Sequence, residues 1–232
     1  MKSKTIYRKN SRIWDTKIRD LVRCFSIDLT CNEAEEFLHL NNKTIQDWYR
    51  YIRKAIALHQ EEERKEVFSW EVEMDESYFW PTRVRWKRWR WAWMKTIVFG
   101  LLKRNWKVYT EIVPDVKAKS LVPIIRGKVE MGTEVNTDGW KSYDGLVDIW
   151  YEKHYRVHHG ANEFARGKQH INGIESFWSY TKRRFIKFNG IKREYFYYYL
   201  KESELRYNCR VQWKDFYKEI LKILRKFSNQ LV

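Results

Sequence analysis

Three short segments set carboxylates into patterns that could do chemistry: Glu71-Val-Glu-Met-Asp75-Glu-Ser-Tyr78, Asn136-Thr-Asp138-Gly-Trp-Lys-Ser-Tyr143 and His170-Ile-Asn172-Gly-Ile-Glu175-Ser-Phe-Trp-Ser179. Val72, Met74 and Phe79 surround Asp75 in a partly alternating run, and the β-compatible stretch Thr133 to Thr137 ends at Asp138-Gly139. Both aspartates are therefore expected at or inside strands. From about 168 to 185 the pattern turns helical, because Ile171, Ile174, Phe177 and Trp178 recur at three and four residues. Asn172, Glu175, Ser179 and Lys182 then share a neighbouring polar stripe. Carboxylates remote in sequence but held on rigid elements suit Mg²⁺, a hard cation that prefers oxygen and keeps waters for substrate phosphates. The order strand, strand, helix is what a two-metal phosphoryl-transfer site requires, with Mn²⁺ a substitute for the two Mg²⁺.

The elements that would position these groups follow from composition and pattern. A chain of 232 residues can bury a sizeable core and hold one full domain plus a small one. Lys and Arg number 46 against 30 Asp and Glu, a net charge of +16 that points to a polyanion, nucleic acid before membrane. No apolar run approaches the length of a membrane span, and Met-Lys-Ser-Lys-Thr lacks a signal-peptide core, so a cytoplasmic, nucleoid-associated protein is expected. Cys24, Cys31 and Cys209 are odd in number and widely spaced, which fits reduced thiols and excludes a four-cysteine zinc ribbon within the chain.

Across roughly Trp70 to Arg210 the sequence resembles the ISXO-like transposases of bacterial insertion sequences, members of the DDE superfamily with an RNase H-like core. The blocks that carry the likeness are the Asp75 strand, Val-Phe-Gly-Leu-Leu-Lys-Arg at 98–104, Lys-Val-Tyr-Thr-Glu-Ile-Val-Pro at 107–114, Pro-Ile-Ile-Arg-Gly-Lys-Val at 123–129, Thr-Asp138-Gly-Trp and the His-x-Asn-x-Ile-Glu-Ser helix. The resemblance implies an α/β fold with an RNase H-like mixed sheet and flanking helices. It also implies Asp75 and Asp138 as the first two metal ligands and Glu175 as the third, with Asn172 the competing candidate or a group that orients Glu175. A carboxylate binds Mg²⁺ better than an amide, and Lys182 follows two helical turns later, where it can reach a DNA phosphate. The activity implied is cleavage of element ends and strand transfer by a homo-oligomer on double-stranded DNA, element ends and target alike. A decayed copy that only binds DNA and a nuclease that cleaves without joining are the alternatives.

Ahead of this core, Trp14, Ile18, Leu21, Val22 and Phe25 make one amphipathic stripe, and Thr30-x-x-Glu33 is a capping-box signature opening a helix with Ala34, Phe37 and Leu38. A third helix runs through Ile45, Trp48, Tyr49, Ile52 and Ile56 after Asn41-Asn42. Three helices with a tight turn before the last read as an all-α helix-turn-helix domain, although trihelical units also serve as packing modules. Its outward residues Lys43, Thr44, Gln46, Asp47, Arg50 and Lys54 suit a major groove. Residues 1–60 are thus expected to be the DNA-binding domain, 61–69 a linker, 70–190 the catalytic domain and 191–232 a C-terminal helical appendage.

Arg83, Arg85, Lys87, Arg88 and Arg90 crowd the connector between the first two core strands, too densely charged to be buried, which leaves a solvated loop or a phosphate-binding arm, the second being expected in a DNA enzyme. His154, His158, His159 and His170 lack the partners of a zinc pattern. Beyond Arg193, Phe196, Tyr199 and Leu200, then Trp213, Phe216, Tyr217, Ile220, Leu221, Leu224 and Phe227, mark apolar helical stripes.

The count of 13 Trp against 9 Gly is inverted, since ordinary usage gives a chain of this length roughly 16 Gly. Glycine is usual in the resembled family at the positions of Trp70, Trp80, Trp86, Trp89, Trp91, Trp93, Trp106 and Trp150, whereas Trp140 and Trp178 match genuine tryptophans. Five of the eight lie in the basic connector, where large rings would be left as a sticky patch. These eight are expected to be glycine in the cell, encoded by UGA; the alternative is a real Trp-rich arm that stacks on unpaired bases.

Overall fold

The computed structural model describes residues 7–8, 11, 13–63, 67–79, 95–104, 107–138, 154–157, 171–228 and 230, with backbone alone at 138 and 154–157. The chain divides into two compact units, one of Met1–Arg64 with Trp213–Val232 and one of Lys65–Gln212.

In the first unit, α1 (Asp15–Ser26), α2 (Cys31–Leu38) and α3 (Asn42–Glu62) are joined by α7 (Phe216–Phe227). The capping box forms as its spacing predicts: Thr30 Oγ1 accepts from the Glu33 N–H and the Glu33 carboxylate accepts from the Thr30 N–H. His39 then ends α2 in the left-handed conformation, and Asn41 caps α3 by accepting from the Lys43 N–H at 2.9 Å. Ile18, Leu21, Val22 and Phe25 are buried, as are Ile45, Trp48, Tyr49, Ile52 and Ile56, and Phe25 meets Tyr49 edge-on at 5.0 Å. Trp14 and Phe37 are exposed, so the two stripes are narrower than the sequence suggests. The expected appendage divides between the units. Helix α7 buries Ile220, Ile223, Leu224 and Phe227 with α1 and α3, because this apolar stripe needs a partner face and the two N-terminal helices offer one.

The second unit is built on a five-stranded mixed sheet in the order β3-β2-β1-β4-β5, from β1 (Glu71–Phe79), β2 (Thr96–Lys103), β3 (Lys107–Val113), β4 (Glu134–Asp138) and β5 (His154–Val157). β1, β2 and β3 pair antiparallel, while β4 and β5 add parallel to β1. Helix α4 (Ala118–Lys128) is the crossover that parallel addition demands. One face buries Val72, Met74, Phe99, Leu101, Tyr109 and Val135 with Leu121 and Ile125 of α4. The other buries Phe79, Val98, Leu102 and Val108 with α5 (Asn172–Ile186) and α6 (Arg193–Val211). Phe68 bridges to Val129 and lies in the first of these cores, and α3 runs on to Glu62.

Helix α6 buries charge: Lys201, Glu202, Ser203, Glu204 and Asn208 are all inside. β3 is an edge strand, and the backbone groups it turns away from β2 would be left without partners. Asn208 accepts from the Val108 N–H at 2.7 Å and donates to its carbonyl at 3.0 Å, Glu204 accepts from the Thr110 N–H at 2.9 Å, and Lys201 donates to the Thr110 carbonyl at 2.8 Å. Side chains at i, i+3 and i+7 of a helix thus stand in for a sixth strand. A buried Arg184 to Glu202 ion pair ties α5 to α6.

Candidate active site

The parallel ladder between β1 and β4 ends with Met74 opposite Thr137, so Asp75 and Asp138 are the next residues on neighbouring strands. This brings two carboxylate residues 63 positions apart in the chain to adjacent backbone sites. Asp75 Oδ1 accepts from the Glu76 N–H at 2.8 Å, and Oδ2 accepts from the Trp178 indole N–H at 2.9 Å. The second bond draws α5 over the strand. It is possible because Gly100, the β2 partner of Asp75, carries no side chain: a Cβ there would lie 2.5 Å from Trp178 Cζ2.

Glu175 is exposed in the first turn of α5, one turn before Trp178, where the helix dipole favours a carboxylate. Asn172, Ser179 and Lys182 are exposed too, so the polar stripe expected on α5 is present. Asn172 is the first residue of the helix, three residues from Glu175.

A second carboxylate on β1 escaped the sequence reading. Glu73 is 1% exposed, two residues before Asp75 on the same strand face, and its Oε2 accepts from the Ile174 N–H at 2.8 Å. No side chain of α5 caps that helix, so Glu73 does so from the sheet. Gly173 permits the approach, since a Cβ on it would lie 2.9 Å from Glu73 Oε2. Arg104 balances the buried charge, its Nε 3.0 Å from Glu73 Oε1, and it also pairs with Glu71, which accepts from Asn136 Nδ2. Tyr207 of α6 donates to the Gly173 carbonyl at 3.2 Å, and burial pushes its phenol above the usual range. The first turn of α5, and Glu175 with it, is thereby gripped from two sides. The only signal in the sequence was alternation, which sets Glu71, Glu73 and Asp75 on one face.

The matched sequence coincides with this construction. Residues 68–208 match the family described as ISXO2-like transposase domain. The chain belongs to that transposase family. The match opens at Phe68, whose backbone bridges to Val129, and closes at Asn208, which seals the β3 edge. A stretch of 102 residues is 47% identical to an uncharacterized transposase-like protein of Haemophilus influenzae, covering 44% of this chain and 81% of that protein. The transposase domain therefore contains Asp75, Asp138, Asn172, Glu175 and Lys182 together.

In the first unit, Lys43, Gln46, Asp47, Arg50 and Lys54 are exposed along α3 and Thr44 is half-buried. Gln46 donates to Asn42 at 2.6 Å, and Arg50 lies 3.5 Å from Asp47. Arg83, Arg85, Lys87, Arg88 and Arg90 fall outside the described residues, as do Trp80, Trp86, Trp89, Trp91, Trp93, Trp106, Trp140 and Trp150. Among the described residues no helix is long and apolar enough to cross a membrane. Cys24 and Cys31 are thiols that burial pushes above the usual range.

Proposed function

We propose that the chain is a DDE-type transposase with an RNase H-like core that cleaves the ends of its element and joins them to a target, with Asp75, Asp138 and Glu175 as ligands of two Mg²⁺. The observation that carries the reading is the meeting of Asp75 with the Asp138 position across β1 and β4, and with α5 through the Trp178 indole. The sheet order, three antiparallel strands followed by two parallel ones, supports the RNase H-like assignment. The donor set fits the ion: all three are hard oxygen ligands without Cys or His, and Asp75 is already oriented on a rigid strand by two hydrogen bonds. The chemistry such ions supply is activation of water or a 3′-hydroxyl for in-line attack and stabilisation of the leaving oxygen.

The chain's own residues do the rest. Trp178 holds the Asp75 carboxylate, Glu73 and Tyr207 seat the helix that carries Glu175, and Lys182 takes a phosphate of the strand along the exposed stripe. Helices α2 and α3, joined by the tight turn at 39–41, support a helix-turn-helix that presents Lys43, Thr44, Gln46 and Arg50 to the ends, and Arg83, Arg85, Lys87, Arg88 and Arg90 add phosphate contacts. Assembly on DNA as a homo-oligomer would bring two ends together.

The test is cleavage and joining of DNA taken from the flanks of the gene, with Mg²⁺ or Mn²⁺. Asp75→Asn, Asp138→Asn and Glu175→Gln are each expected to abolish cleavage and leave end binding intact. Cleavage that survives all three overturns the reading, cutting without joining makes the protein a nuclease, and an active Glu175→Gln beside a dead Asn172→Ala moves the third ligand to Asn172.

A further inference from the structure

A cavity of about 360 Å³ lies beside the site, walled by Phe79, Phe185, Ile186, Ile191 and Phe196 with Lys182 and Arg193 among its lining. Its volume is that of a small-molecule pocket. Phe79 is four residues past Asp75 on the same face of β1, about 13 Å along the strand, and Lys182 is two turns past Glu175, about 10 Å along α5. The cavity therefore opens where a strand lying on the Glu175, Ser179, Lys182 stripe would leave the carboxylates. Both cations are exposed, and Ile186 at the cavity is 74% exposed, an aliphatic side chain set beside two positive charges. An apolar ligand alone would have no use for the cations, and a simple anion none for the aromatic wall.

We propose that this cavity takes an unpaired nucleobase of the DNA strand next to the cut, with the flanking phosphates on Lys182 and Arg193. The inference rests on the transposase reading, which supplies the strand. Phe185 and Phe196 give the base an aromatic wall, and the +16 chain draws in the backbone.

The experiment compares the full chain on two single-stranded oligonucleotides of equal length, oligo(dT) and its abasic counterpart, by fluorescence anisotropy. Oligo(dT) is expected to bind about tenfold more tightly, the scale of one stacked base. Ile186→Glu, an exposed position where folding is not at stake, is expected to erase that preference. Equal binding of the two strands, or a preference that survives Ile186→Glu, overturns the proposal. If metal-dependent cleavage persists in that case, only the pocket is lost. Absence of binding to any DNA removes the transposase reading as well.

Backbone geometry carries a second, independent inference. Among the described residues five non-glycine residues have positive φ: Asp28, His39 and Asn189, at 64°, 51° and 50°, and Trp70 and Trp213, at 82° and 54°. Asp, His and Asn tolerate that region, and a bulky aromatic does not. The Trp70 carbonyl accepts from the Glu134 N–H at 2.8 Å, which ties the residue to its place beside the sheet. Trp70 and Trp213 are 82% and 95% exposed, whereas Trp48 and Trp178 are buried. We infer that positions 70 and 213 are glycine in the native protein, with UGA codons read there as glycine. Trp213, which the helical pattern had assigned to an apolar stripe, joins the suspect set on geometry alone. UGA at 70 and 213 with UGG at 48 and 178 is the expected coding sequence, and UGG at 70 or 213 overturns the inference. In the recombinant chain Trp70→Gly and Trp213→Gly are each expected to raise Tm by about 2–4 °C, while Trp178→Gly lowers it; a fall at either of the first two positions counts against it.

Discussion

Helix α5 on β1 and helix α6 on β3 are both docked through buried polar contacts, but the element that contributes the carboxylates is exchanged. At β1 the strand supplies side chains, Glu73 and Asp75, and the helix supplies a backbone N–H and an indole. At β3 the helix supplies side chains, Lys201, Glu204 and Asn208, and the strand supplies its backbone. The difference follows from position in the sheet. β1 is paired on both sides over residues 71–74, so along that stretch its backbone is spent and docking falls to side chains. β3 is at the edge, so its leftover N–H and carbonyl groups must be met from elsewhere. The proposed site lies where strand side chains face the helix, because those can be carboxylates directed at a ligand. The α6 contact covers the β3 edge of the sheet.

Breaking the edge contact should cost most. Glu204→Ala strands the Lys201 charge and two Thr110 donors inside the unit, and a loss of about 3–5 kcal/mol is expected in denaturant titration, with the metal dependence of cleavage by folded protein unaltered. A loss below about 1 kcal/mol would mean the edge is not held this way. Glu73→Ala, on the central strand, is expected to cost about 3 kcal/mol through the uncapped Ile174 N–H and the loss of one of the two carboxylates that Arg104 pairs with, and also to raise the Mg²⁺ needed for half-maximal cleavage. Stability loss without that second effect would show Glu73 to be structural only.

Gly100→Ala separates the two contributions more finely. Displacing Trp178 should cost about 1–3 kcal/mol and weaken metal affinity about 10–100-fold by releasing Asp75 Oδ2, measured as Mn²⁺ dependence; unchanged metal affinity would remove the indole from the site. A half-buried polar contact that docks no helix sets the lower limit. Asp115 accepts from Ser120 at 2.7 Å and from the Lys117 N–H, bonds that hold its carboxyl below the usual range. A depressed carboxyl contributes stability above its unfolded value and loses it as pH falls through its folded one. Asp115→Asn should therefore lower Tm slightly at neutral pH, and the gap should close on acidification; a gap that is constant with pH would contradict the assignment.

Much of this was legible in the chain. Capping at Thr30 and Glu33 is local chemistry within one turn, and the stripe Ile171, Ile174, Phe177, Trp178 has the helical period, so both formed where expected. Trp14, Phe37 and Trp213 were misassigned because a period marks which residues share a face, and burial also needs something to cover them. Glu73, Arg104 and the α6 ladder could not be read, since a charged residue gives the same signal whether it is solvated or paired across about 100 residues of chain.

The sequence by itself determined which residues are of types that could hold a metal, which segments are helix or strand, and the family, because motif, period and composition are properties of neighbours along the chain. Tertiary structure alone decided that Asp75 meets the Asp138 position, that the Trp178 indole rather than another carboxylate holds Asp75, and that Glu73 caps α5. Those outcomes depend on strand register and on the space left by Gly100 and Gly173, and steric fit between distant segments exists only once the sheet has formed.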